Sequence, residues 1–424
     1  NSVTAAKLAD NAIASDAQYN TIAGTNAGDS FSGTDATNNT CFGYNAGTAI
    51  TTGDYNVAIG DDSLSANTTG IRNTALGSYA LDANTIGNYN VAVGQSALSA
   101  NTEGEHNVAV GRRALNANTT ADRNIAIGGD ALYANTTGNS NVAVGDNALS
   151  ANTTGDKNTA IGRDALNVNT TADDNTAVGR RSLAANTTGA NNVAVGKDAL
   201  TVNTTGAANT AIGWTALDAA TTADNNTAVG GEALSGTTTG ASNTALGRSA
   251  LRGNTTGNYN VAVGKDALLV ATTGSTNTAV GIDSLKANTT ASNNTAVGSS
   301  TLLANTTGTN NVAFGSSNLA ANTTGSHNAG FGGSNLSANT TGSNNTGIGA
   351  YALNKATTAD NNTALGYNSL FNNTTGGDNT AIGRRALEDN TTASYNVAVG
   401  NDALKDNTTG HSNSVVGNAA LQTN

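Results

Sequence analysis

Two aspartates one repeat apart, Asp266 and Asp283, form the pair in this sequence most suited to catalysis. Backbones about 5 Å apart would bring their carboxyls near the separation a retaining glycosidase uses for nucleophile and general acid. Asp also recurs irregularly at the same place in other repeats, and some β-rolls hold calcium through evenly spaced aspartates. Asn-Thr-Thr matches the N-glycosylation sequon at Asn67, Asn118, Asn135 and Asn152, where an exposed amide would accept a sugar. Tyr55, Tyr89, Tyr259, Tyr395 and Trp214 offer rings for stacking on sugars.

Each of these readings has a plainer rival. A catalytic pair needs a concave pocket shaped by a loop, and no repeat carries an insertion, so two neighbouring surface aspartates and no enzyme are expected. The period is not the calcium-binding nonapeptide, and His106, His327 and His411 have no second ligand type beside them, so neither metal nor cofactor is expected. Asn-Thr-Thr serves equally as a turn with a Thr ladder. Asn84 is followed by Thr-Ile, and Ala220, Thr237, Ala271 or Ala356 stands in the Asn place elsewhere. The single Cys41 forbids an intrachain disulfide.

The elements that carry these residues follow from one period. The Asn of "NTAVG" or "NVAVG" recurs at every seventeenth position from Asn39 to Asn413, without an insertion or deletion. The consensus is N-[TV]-A-[VI]-G-x-x-[AS]-L-x-A-N-T-T-[GA]-x-x, numbered here as positions one to seventeen. Position five is Gly in every repeat, and position nine is Leu in every repeat after the first, among them Leu64, Leu166, Leu183, Leu200, Leu285 and Leu421. Seventeen residues are too few for a helical-hairpin repeat. "TAVG" predicts a short strand ended by Gly, "ALxA" a second strand, and "NTTG" a turn. The fold class expected is all-β: a parallel β-solenoid, or β-roll, of seventeen-residue coils with the leucines in a core ladder. Stacked coils put like positions about 4.8 Å apart. Arg113 would then meet Asp130, Arg181 would meet Asp198, and Arg385 would meet Asp402, with Asp164 on the other side of Arg181.

Composition agrees. Charged residues are 11% and aromatics 4% of the chain, too few for a large globular core, and Pro is absent, as a continuous amide ladder requires. A net charge of −11, spread evenly, speaks against nucleic acid and anionic membranes as partners. No apolar run reaches the length of a membrane helix or signal core. The chain starts without Met, so a processed or partial chain is expected, with export signals outside it.

Residues 1–38 read as an irregular N-terminal linker or cap with one imperfect coil at Asn20, and residues 39–424 as a solenoid of 23 repeats. Its rod would be on the order of 110 Å long. Each coil orders seventeen backbones at about 1–2 kcal/mol each. A Val or Ile at position four and the Leu at nine return about 1.5–3 kcal/mol apiece. That thin balance predicts a homotrimer packed through the Ala column at position three, typified by Ala160, Ala177 and Ala211. The alternative leaves those alanines against solvent or inside the coil.

"NVAVG", "NTAIG" and "GxxAL" resemble the head repeats of trimeric autotransporter adhesins. The longer "NTAIGxxALxANTTGxxN" is similar to shaft repeats of phage tail-fibre proteins that end in a self-cleaving chaperone domain. "SVTAAKLADNAIASDAQYNT" resembles the linker before such shafts. The sequence ends just after Leu421, so a chaperone domain already removed, or another kind of fibre, is expected. The resemblance implies a left-handed coil, three chains, and a place outside the cell or on a virion, with the cell surface as alternative. The function expected is a structural fibre shaft of a phage tail fibre or surface adhesin, supporting attachment to a host receptor or surface glycan. The alternative is a self-assembling extracellular filament, glycosylated on the Asn-Thr-Thr turns.

Overall fold

The computed structural model describes residues 14–31 and 35–422, and over them the chain is an all-β parallel solenoid of seventeen-residue coils without a helix. It divides into two compact units, Asn1–Asn209 and Thr210–Asn424. In the first, strand β1 (Ala14–Ser15) runs antiparallel to β2 (Thr21–Ala23), which stacks parallel on β3 (Thr40–Phe42) with Thr21 opposite Thr40. The step from Thr21 to Thr40 is longer than any later one and marks the imperfect first coil. From β3 onward, within each unit, every strand lies in register on the strand of the next coil. Ala160 sits between Ala143 and Ala177, and in the second unit Ala262 sits between Ala245 and Ala279.

Each coil has one strand, positions two to four, rather than two. Positions six to eleven, expected to include a second strand, run as turns. The backbone there visits the left-handed region twice, as at Asp164 (φ 57°) and Leu166 (φ 51°), and again at position seventeen, as at Asp174 (φ 57°). Such angles cost roughly 1–2 kcal/mol for an L-residue, and they rule out extended pairing. The amides are satisfied by neighbouring coils instead: Gly162 N–H donates back to Val144 O (2.7 Å) and Leu166 N–H forward to Ser182 O (3.0 Å).

The core is narrow. Ala at position three, Ala or Ser at eight, Leu at nine and Asn at one and twelve are buried. Ala160, Ala177 and Ala211 are therefore coil interior in a single chain and not an interface, while position four, assigned to the core from its size, faces outward with Ile161 41% exposed. Between the strand and the Leu corner the coils from Ala58 to Ala398 hold no more than a methyl group at position three, while Cys41 and Val415 fill it in the end coils. Leu64, Leu166, Leu183, Leu200 and Leu285 are fully buried, whereas Leu421 is 56% exposed.

Gly330 and Gly347 replace that Ala for a local reason. A Cβ on either would collide with the side chain of Asn318 or Asn335, which occupy position eight of the preceding coil. Asn318 Nδ2 donates to Phe314 O and Gly332 O (both 3.1 Å). Gly330→Ala is expected to cost about 1–3 kcal/mol by overpacking. Adding Asn318→Ala should recover most of it, and a double-mutant cycle by urea unfolding reads the coupling.

Candidate functional site

Two asparagine ladders run inside the coil; in the sequence the Asn at position twelve reads as a turn residue and the Asn at position one as the marker of the period. Asn73 N–H donates to Asn56 Oδ1 (3.0 Å), and Asn73 Nδ2 and Asn84 Nδ2 converge on Gly87 O (2.9 and 3.1 Å). Asn84 Nδ2 also reaches Asn67 Oδ1 (2.8 Å). The four sequon asparagines Asn67, Asn118, Asn135 and Asn152 belong to this inner ladder and are fully buried. Their Nδ2 atoms are committed to Gly70 O, Ala121 O, Gly138 O and Gly155 O. A sugar on any of them would have to displace these bonds from the coil interior. Position-thirteen hydroxyls form the Thr ladder, Thr68 Oγ1 donating to Thr85 O (3.1 Å).

The cross-coil ion pairs lie on the surface. Arg113 grips Asp130 with Nε and Nη2 (2.7 and 2.9 Å), Arg385 donates to Asp402 from Nη2 alone (2.8 Å) with its Nε 2.7 Å from the other carboxylate oxygen but not hydrogen-bonded to it, and Arg181 is 3.6 Å from Asp198. The hydrogen bond to Asp130 holds the Arg113 guanidinium above its usual range. Arg112 joins the first pair (3.1 Å), and Asp164 turns to Arg163 (3.1 Å) and not to Arg181.

The would-be catalytic carboxylates are engaged by cations: Asp266 lies 3.5 Å from Lys265, and Asp283 accepts from Lys286 Nζ at 2.9 Å. Among the described residues no group of three or more His, Cys, Asp or Glu is placed to hold a metal. His106 stacks on Tyr89 (5.0 Å, 14°), His327 faces Asn310 Nδ2 (3.3 Å), and His411 faces Ser412 Oγ (3.4 Å). Burial pushes the Cys41 thiol up to about 12, so it is no nucleophile at neutral pH. No helix among the described residues is long and apolar enough to cross a membrane.

Of the exposed aromatics, Tyr55, Arg72, Tyr89 and His106 make a ladder in which Arg72 lies 5.7 and 5.4 Å from the two tyrosine rings. Its ring faces are covered by its own members. Tyr259, Tyr395 and Trp214 stand exposed and apart. A tighter aromatic cluster was not singled out in the sequence: Tyr351, Tyr367, Asn354, Asn368 and Phe371 line a cavity of about 310 Å³. Tyr351 meets Tyr367 edge-on (6.0 Å, 90°) and Phe371 at 6.5 Å and 72°. The available signal was aromatic side chains at positions six, seven and ten of adjacent coils, which the one-turn stack brings to a single corner.

The fold defines a β-solenoid repeat protein. Comparison with protein-family models and with curated proteins finds no match to the chain.

Proposed function

We propose that the chain is the shaft of an attachment fibre, a left-handed homotrimeric coil that acts outside the cell or on a virion and not as an enzyme. The observation that carries this reading is the outward face of the strands. Position four is apolar in every coil from Phe42 to Val416, and position two carries no charge in any of them. Yet the position-four side chains are part-exposed in the single chain, as with Ile161 (41%) in the first unit and Leu246 (48%) in the second. A sheet face that met only water would alternate toward polar residues.

Each rung, about 4.8 Å high and about 7 Å across, adds on the order of 30 Å², and the sequence has twenty-three of them. A standard interface buries about 800 Å² per partner. Only a surface with the same rise per coil stays in step with this stripe, and another copy of the chain has it by construction. Three copies, and the coil's hand, are what the resemblance to autotransporter heads and tail-fibre shafts implies.

The test is solution mass by light scattering. The native chain should weigh three chains, and Ile161→Asp with Ile212→Asp should reduce it to one while the β-rich circular dichroism persists. A native monomer removes the reading, and open-ended polymers favour the filament instead.

A further inference from the structure

We propose that the corner formed by Tyr351, Tyr367 and Phe371 is a saccharide site on the flank of the shaft, taking an uncharged pyranose of a surface glycan. This rests on the attachment-fibre reading and gives it a place of contact away from any fibre end. Pyranose rings bind aromatic faces through their C–H groups and fix their orientation through hydroxyl hydrogen bonds, so a site needs free ring faces beside fixed polar groups.

Both are present here. Elsewhere the stacked pairs use up their faces on each other: Tyr89 lies nearly parallel to His106, and Phe314 to Phe331 (5.2 Å, 7°). At this corner the rings meet edge to face, which leaves tyrosine face uncovered, Tyr351 and Tyr367 being 42% and 48% exposed, while the Phe371 face carries the Lys355 ammonium. The polar groups are held in place. Asn354 Nδ2 donates to Ser334 O (2.7 Å) and Ser337 Oγ (2.8 Å), and Asn368 Nδ2 donates to Glu388 Oε1 (2.9 Å). Groups ordered before binding lose little freedom on contact.

Lys355 relates the corner to a neighbouring groove. Lys355 Nζ lies 5.0 Å over the Phe371 ring and donates to Asn372 Oδ1 (2.9 Å). From there a groove of about 610 Å³ is lined by Lys355, Asn372, Asp389, Asp406 and threonine hydroxyls such as Thr374 and Thr391. A sugar stacked at the corner thus has hydroxyl partners for its neighbours in the chain. Around it Glu388, Asp389 and Asp406 are shared by Lys405 (4.0, 3.9 and 3.0 Å), so with Lys355 three carboxylates face two ammonium groups and no cationic patch is left to attract a polyanionic glycan.

The experiment is binding of the full chain to a printed array of neutral and polyanionic oligosaccharides, with Tyr351→Ala, Tyr367→Ala and the sequence-distant Tyr44→Ala, whose ring is also exposed, and with thermal melts to confirm folding. Retention on neutral pyranose oligosaccharides, weakened at least tenfold by either corner variant and unchanged by Tyr44→Ala, is the expected result. No retention by the native chain, retention on polyanions alone, or equal retention by both corner variants overturns the site. Solution mass of the same samples separates the two readings. A trimer that fails on the array loses only the site, and a chain of another mass loses the trimeric shaft while the array still decides the site.

Discussion

Gly179→Ala should lower the stability of the first unit by about 3–5 kcal/mol, combining a backbone region open in practice to glycine with a steric clash. Gly179 has φ 129°, and a Cβ there would stand 2.6 Å from the carbonyl oxygen of Gly196 in the next coil. That neighbour is backbone, so no rotamer change relieves it, and moving it breaks the register of the coil above. Gly231→Ala is the matched control. Its Cβ would meet nothing within 4 Å, so stability should change by no more than about 1 kcal/mol, toward greater stability. Urea unfolding of both variants decides it. Equal midpoints would show that the Gly column has no steric role.

Asn124→Asp should be the most damaging exchange of nearly equal volume. Asn124 Oδ1 accepts Asn141 N–H (2.9 Å), and its Nδ2 donates to Gly138 O (2.9 Å). An aspartate keeps the acceptor but points a second oxygen at that carbonyl, in a site with no exposure. Burial and the carbonyl both disfavour the charged form, so the folded pKa rises above the unfolded value of about 3.9. The cost is then absent below about pH 4, where both states are protonated, and grows as pH rises toward the folded pKa. At neutral pH a loss of about 3–5 kcal/mol is expected, as for other unpaired buried charges. Unfolding midpoints at pH 3 and pH 7 check the sign, and a pH-independent loss would mean that the carboxylate finds water.

The stack itself was legible because one period without insertions leaves a single way to align Asn39 to Asn413. Gly at position five and Leu at nine could be placed for the same reason. The facing of the strand could not be read from size. Val178 and Ile161 look like core beside Ala177 and Ala160, yet a single short strand per coil leaves the interior only a methyl's depth at that point. The smallness of position three, Ala or Gly in every coil from Ala58 to Ala398, was the better guide. Nor does Leu advertise a left-handed backbone, since its type argues against a positive φ, so "ALxA" read as a strand. The burial of the Asn at position twelve was hidden by its resemblance to a turn residue. The Tyr351 corner was hidden because its three rings are scattered in sequence and meet only through stacking.

The hydrogen bonds of each coil end on the coil before and the coil after, as Gly162 to Val144 and Leu166 to Ser182 show. Excising Asn158 to Asp174 would therefore present to the flanking coils the same donors and acceptors they had lost. Length in such a molecule comes in quanta of about 4.8 Å. A gene that gains or drops whole repeats by recombination adjusts the reach of its product like links taken from a chain, with no refitting of what is left.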